Sequence, residues 1–425
     1  MQTTSRFWLT GLCAVGSLFF LGADWPAFRG PHGTGLVTDH DLPVTWDDTQ
    51  AITWRRELPG PGSSVPIVLG DRIYLTCYSG YGVNADAPGE IDQLKRWLVC
   101  VDRGTGEIQW KTEVAAKMPE QPFARFMDLH GYASSTPITD GQRIYCFFGK
   151  SGVVAFDLKG NQLWLADVGD GIHRWGSATS PVLFENLVII NASVESDALV
   201  ALDRENGKEV WRAEGISRCW STPSLVTAEE GSESTQELVV NMAGKVLGLD
   251  PATGKPLWNC DGIDDYICPS VLADKGIVYL IGGRSNQALA IRAGGRGDVT
   301  ETHLLWRQKV GSNVPSPTLY EGRLYWVDHK GIALCLDAEN GEMVYRERLP
   351  KAGRVFASVV AAEDKLYAVT QESGTFVLSI GDDLEVLSQN QLASDDSICN
   401  ASPAICDGQL FFRTNQFLYC IGKPR

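Results

Sequence analysis

The sequence predicts an all-β fold, an eight-bladed β-propeller of four-stranded antiparallel blades whose ring is closed by an N-terminal strand. Three observations carry this: a hairpin motif that recurs along the chain, a Ser/Thr-Pro step that recurs at intervals of about 43 residues, and a last blade split between the two ends of the sequence. Composition agrees, since Gly 44, Pro 20 and Trp 13 against Met 5 suit short strands and tight turns rather than helices.

The hairpins read VDRGTGEIQW to Trp110, LDRENGKEVW to Trp211, LDPATGKPLW to Trp258 and LDAENGEMVY to Tyr345, with a shorter FDLKGNQLW to Trp164. Each has a strand ending in Asp, a turn closed by Gly and a second strand ending in an aromatic. The carboxylate can accept backbone N–H bonds in the turn and the glycine supplies positive φ.

A Ser/Thr/Pro step precedes each hairpin, with its proline at Pro66, Pro137, Pro181, Pro223, Pro269, Pro317 and Pro403 and Ser358-Val359 standing in for the missing copy. It opens the innermost strand of each blade, and the count is eight. The chain ends just after a third strand, Phe417 to Ile421, while Ile52 to Arg55 is an orphan fourth strand with its own Trp54. Joining them completes the last blade and removes the open edges of a linear array.

The N-terminus divides from this repeat. Residues 1–23 carry Arg6, an apolar run from Phe7 to Phe20 and the small-residue pattern Leu21-Gly22-Ala23, the features of a secretory signal peptide. The run is shorter than the ~20 apolar residues of a spanning helix, so no membrane insertion is expected after its removal and the mature chain is expected in the periplasm or secreted. Residues 24–51 form an extension expected to pack on the propeller, with Trp25 and Phe28 as anchors. Its DWPAFRGPHGTG, Asp24 to Gly35, has glycines but neither the preceding buried strand nor the following helix of a phosphate loop. Residues 52–425 are the propeller, expected to be a monomer. A formal charge of −15 with no basic stretch excludes a nucleic-acid partner.

The hairpins, Ser-Pro strands and eightfold count resemble the pyrroloquinoline-quinone-like repeat propellers, the superfamily of quinoprotein alcohol dehydrogenases and of the outer-membrane-assembly lipoprotein propeller. The Trp-Pro-x-Phe-Arg-Gly-Pro-x-Gly opening is similar to secreted bacterial members. The resemblance implies that Trp54, Trp110, Trp164, Trp211, Trp258 and Trp306 dock between blades, with blades six and seven departing at Tyr345 and Leu387. It also implies a comparison with the quinoprotein enzymes, which carry an adjacent Cys-Cys pair, calcium ligands and a catalytic Asp. No Cys-Cys dipeptide occurs here, so no cofactor is expected, and pyrroloquinoline quinone with calcium is the lesser alternative.

Ten cysteines remain after Cys13 is removed with the signal. An even count in an exported chain raises disulfides, yet the third strands carry Cys100, Ala155, Ala201, Gly248, Ala290, Cys335, Ser379 and Cys420 at one repeat position, all small. Three cysteines thus read as small packing residues, and the spacing of the others fixes no pairing. With no Cys-x-x-Cys, His-x-His or His-Glu-x-x-His, neither a metal site nor a catalytic residue is predicted.

The segments that lead into the innermost strands converge on the central channel, and they supply the candidate site. They place His130 and Tyr132, His173, Arg174 and Trp175, Arg218 and Trp220, Asp265 and Tyr266, then Asn313, Arg354 and Asn400 at the channel mouth. Aromatic faces with a few polar groups suit a small-molecule, sugar or peptide pocket; the alternative is that the rings pack the mouth. Ala115 to Leu129 is long enough to roof the channel. Two functions fit. The first is an exported, non-catalytic binding or scaffolding propeller that presents its channel face to a protein, peptide or glycan. The second is a quinoprotein-type oxidoreductase or carbohydrate-active enzyme using the channel. The first needs only a rigid surface and is the reading the sequence favours.

Overall fold

The computed structural model describes residues 24–38, 41–230 and 233–424; residues 1–23, expected to be a signal peptide, lie outside them. Eight antiparallel sheets follow one another round a ring. Blade two shows the plan, running from an inner strand Ile138–Thr139 outward through Arg143–Phe147 and Val153–Asp157 to Gln162–Ala166. The eighth blade takes Ala404–Cys406, Gln409–Arg413 and Phe417–Gly422 from the C-terminus and Ile52–Glu57 from the N-terminus, paired antiparallel with Trp54 opposite Cys420. Among the described residues, no helix is long and apolar enough to cross a membrane.

The hairpin turns form as their residue types dictate. Asp102 Oδ1 accepts from the N–H groups of Gly104 and Thr105, at 3.1 and 3.0 Å, and from the Thr105 hydroxyl. Gly106 closes the turn at φ 71°, where a Cβ would lie 2.6 Å from the Trp54 ring. That approach is the docking device. Trp54, Trp110, Trp164, Trp211 and Trp306 each stack on the turn glycine of the next blade, and Trp54, Trp164, Trp211 and Trp306 donate their indole N–H to a backbone carbonyl there, at 2.8–3.1 Å.

The small third-strand residue has a second cause besides close blades: it lies between two rings. Tyr74, Cys100 and Trp110 are cross-strand partners in one row, as are Tyr145, Ala155 and Trp164, and Tyr325, Cys335 and Tyr345. Across the small residue the rings meet at 5.9, 5.9 and 6.4 Å between centroids. In blade seven the register places Val377 opposite Tyr367 and Ser388, rather than the expected Ser379 and Leu387. Ser379 instead stands two residues past the small position, where the other hairpins carry their turn Asp, and its hydroxyl accepts the Glu385 N–H at 3.0 Å; strand four then bulges by one residue, as in every blade, which puts Ser388 rather than Leu387 in the row. Blade seven therefore lacks its own outer ring, and Trp46 of the N-terminal extension supplies one, stacked on Tyr367 at 6.5 Å, with the Trp46 backbone N–H donating to Asn390 Oδ1.

Trp258 departs in another way. Blade five has no Asp-Gly turn to receive it, and its indole donates instead to the fully buried Glu237 at 2.7 Å, which also accepts from the Gly294 N–H. Arg296-Gly297-Asp298 lies in this altered connection, with Gly297 and Asp298 paired parallel to Trp258 and Asn259 on the edge of blade four. No disulfide joins the ten cysteines of the described residues, nine of which are buried.

Candidate functional site

The Ser/Thr-Pro steps form a collar round the channel. The N–H of Val65, Thr136, Ser180, Thr222, Ser270, Ser316 and Ser358 each donates to the hydroxyl of the Ser or Thr one blade on, at 2.8–3.1 Å. Each hydroxyl thereby satisfies a backbone donor that the crowded ring axis would otherwise bury unpaired. The recurrent motif is thus structural.

The opening segment closes the far end. Trp25 exchanges both backbone hydrogen bonds with Val68 of blade one, and Pro26 accepts from Thr139 of blade two. The buried Arg29 then donates to the carbonyls of Thr34 and of Pro317 in blade six, and Leu36–Val37 pairs parallel with Ala361 and Ala362 on the inner strand of blade seven. The segment therefore crosses beneath the channel from blades one and two to blades six and seven. Gly35 is required where it sits, since a Cβ there would lie 2.6 Å from the Arg29 guanidinium. The glycines of the motif shape a plug.

Above the plug lies a cup of about 210 Å³. Phe28 forms its floor, Phe126 and Leu129 of the roof loop one side, and Trp175, Trp220, Tyr266 and Phe356 the wall; collar hydroxyls, Val65, Val314, Cys268, Asn313 and Asn400 complete it. Trp175 is the hub, with ring centroids 4.3 Å from Tyr266, 4.8 Å from Trp220 and 5.4 Å from Phe126. Its half-buried indole has an N–H without a partner, whereas Trp220 donates to the Gly176 carbonyl at 2.8 Å. Among the described lining residues, none is Asp, Glu, Lys or Arg.

The sequence-predicted residues divide into three groups. His130, Trp175, Trp220, Tyr266, Asn313 and Asn400 line the cup. The half-buried His130 ties two loops together, with Nδ1 2.5 Å from the Ser134 hydroxyl and Nε2 2.7 Å from the Trp175 carbonyl. A carbonyl only accepts, so Nε2 carries the proton; burial holds the ring below the ordinary histidine pKa and keeps it neutral. Tyr266 donates its hydroxyl to Asn313, and Asn400 donates to the Leu129 carbonyl.

A second group forms the rim. His173 packs against Trp175 and Trp220, and Arg174 lies 5.9 Å from the Trp175 ring. Arg218 faces Asp265 at 4.0 Å. Asp265 is occupied by the N–H groups of Tyr266 and Arg284, at 2.8 and 2.7 Å. Arg354 is exposed and paired with Glu372 at 3.7 Å.

Tyr132 stands apart, buried with Tyr78, Tyr81 and Phe123 and donating to the Gln121 carbonyl. Lining residues outside the sequence-predicted set include Phe28, Phe126, Leu129, Cys268, Val314 and Phe356. Phe356 and Phe126 had a signal, one in the run of mouth aromatics and the other in the roof loop. Phe28, expected as a packing anchor of the extension, reaches the cup only through the path of the plug.

Residues 91–219, 197–295 and 296–416 match the family described as outer membrane protein assembly factor BamB, well over half of the chain. The chain belongs to this family. Over 154 residues it is 27% identical to the outer membrane protein assembly factor BamB of Kangiella koreensis, covering 36% of this chain and 34% of that protein, so it spans about a third of that relative's length. The crystal structure of BamB from Moraxella catarrhalis matches with a TM-score of 0.59 at 12% identity, over 88% of this chain and 99% of that one. A europium-containing methanol dehydrogenase matches with a TM-score of 0.65 at 11% identity, over 95% and 98%. At such identities these structures share the propeller fold with this BamB-family chain, and a fold alone hosts many functions.

Proposed function

We propose that this chain is an exported, non-catalytic binding propeller that receives an apolar or aromatic side chain of a partner protein in its channel cup. The observation that carries the reading is the cup itself: a floor closed by Phe28, walls of four aromatic rings and an uncharged lining. A buried aromatic anchor in such a pocket is how protein interfaces concentrate binding energy. Membership in a family described by an outer-membrane assembly factor supports a protein partner over a free glycan, and the leader at residues 1–23 supports a periplasmic or secreted location.

The cup works in this reading without pyrroloquinoline quinone. That quinone is a polycarboxylate, held with calcium in its dehydrogenases, and the cup offers neither cations for its carboxylates nor carboxylates for the metal. The donor set does not fit the group.

A photo-crosslinking amino acid placed at Phe126, with a second at the exposed Lys111 on the outer strand of blade one, tests the proposal in the exporting cell. A discrete protein adduct from position 126 that disappears in Trp220→Ala, and no matching adduct from position 111, is the expected result. Equal adducts from both positions overturn it. So does alcohol oxidation by the purified chain with added quinone and calcium.

A further inference from the structure

Away from the channel, the wedge between blades five and six holds a cavity of about 360 Å³ lined by four cations, Lys309, Lys330, Arg346 and Arg348. All four are exposed, and among the described residues none of them forms an ion pair. Arg348 donates to the Lys330 carbonyl at 2.8 Å, and its remaining N–H groups are left for a ligand. The carboxylate in the wedge, on Asp328, is buried and spent on the turn, where it accepts from the N–H groups of Lys330 and Ile332 at 2.8 and 3.0 Å.

The other blades show what this wedge lacks. The first and third residues after the docking aromatic face the preceding blade. They are Lys111 and Glu113 in blade one, Arg212 and Glu214 in blade three, and Arg55 and Glu57 in blade eight, a cation followed by an acid each time. Blades two and four also end in an acid there, Asp167 and Asp261, paired with Lys117 and Lys245 at 2.5 and 2.7 Å. Blade six instead has Arg346 and Arg348, both facing the same strand neighbours Leu334 and Ile332, and blade five brings Lys309 to the opposite wall. On a chain of net charge −15, like charges gathered without acids repel one another, and an anionic ligand relieves that repulsion.

We propose that this wedge binds a small multivalent oxyanion, a polycarboxylate or polyphosphate, held by Arg346, Arg348 and Lys330 of blade six and by Lys309 on the blade-five wall. Arginine forks pair bidentately with carboxylate and phosphate oxygens, and the lysines add charge without demanding geometry. The His329 Nδ1, which has no hydrogen-bond partner, is a further donor in the same wall when its tautomer places the proton there.

Calorimetric titration of the full mature chain at low salt, with citrate and with tripolyphosphate as probes, tests the site. Saturable one-to-one binding of either probe is expected, and which one binds more tightly assigns the chemistry. The pair Lys309→Glu and Arg348→Glu restores the acidic pattern of the other blades, so the fold tolerates it; binding should weaken at least tenfold. Arg346→Gln, with no reversal of charge, should weaken it several-fold, and Arg174→Glu at the channel rim should leave it unchanged. The proposal is overturned by no binding of either probe, by equal binding to the double variant, or by equal loss in the Arg174 variant.

Discussion

Glu195 should make the stability of the fold depend on pH. It follows the second strand of blade three and is 4% exposed. One carboxyl oxygen accepts from the Ser177 hydroxyl, two residues from Trp175, and the other has no partner. Burial, with the nearby Glu120 adding to it, pushes its pKa from an ordinary 4.5 up to about 7. Glu120 itself is held in a buried ion pair with Arg96 at 2.5 Å. A raised carboxyl pKa means that the folded chain keeps a proton which the unfolded chain releases between pH 4.5 and 7. The contribution to stability is complete below 4.5 and is lost as the pH rises to 7, by about 3 kcal/mol. Glu195→Gln keeps an acceptor for Ser177 and removes the titration. Urea unfolding of both proteins at pH 4.5 and pH 8 isolates this group, because other titrations cancel in the double difference. The variant should gain about 3 kcal/mol on the parent between the two values. Parallel pH profiles for parent and variant would refute the assignment.

Trp211→Ala removes a ring stacked on Gly254 and bonded to the Pro251 carbonyl. It should cost about 3–5 kcal/mol, while Trp175→Ala, at a half-buried ring with a free N–H, should melt closer to the parent in differential scanning calorimetry. Deleting the mature chain through Arg55 opens the ring and should lower the melting temperature far more than deleting residues 24–44, which leaves the closing strand in place. Native alkylation with iodoacetamide at pH 7.5, counted by mass spectrometry, should leave the ten described thiols unmodified. Nine are buried, and burial pushes Cys268, Cys335 and Cys399 up to about 12.

What was legible in the sequence is what local chemistry decides. The Asp-Gly turns close through contacts two to four residues apart, so the hairpins and their period can be read directly. The orphan strand at Ile52 was legible because a blade missing a strand and a strand missing a blade stood at opposite ends. The mouth rings were legible because repeat position places them, although Tyr132 turns into its own aromatic cluster beneath the roof loop. Illegible were contacts whose partners are far apart in the chain. Blade seven gives no sign that Trp46, 344 residues before the Asn390 that anchors it, completes its outer face. The same holds for Phe28, and for Glu237, whose burial follows only from the missing turn in blade five.

Residues 24–57 join three tasks that a closed ring would otherwise keep separate. Trp25 to Val37 seals the channel floor, Trp46 replaces the missing ring of blade seven, and Ile52–Glu57 completes blade eight. Contacts that span hundreds of residues enter all three tasks, with Arg29 on Pro317 and Asn390 on Trp46 as instances. Contacts this remote form late, since their loop-closure entropy is offset only when the intervening blades are already folded. The cup has no floor until the plug reaches blades six and seven, and the plug has nothing to reach until those blades exist. The aromatic surface of the channel is therefore completed at the same stage as the ring, which limits how long an open tube of exposed rings faces the compartment around it.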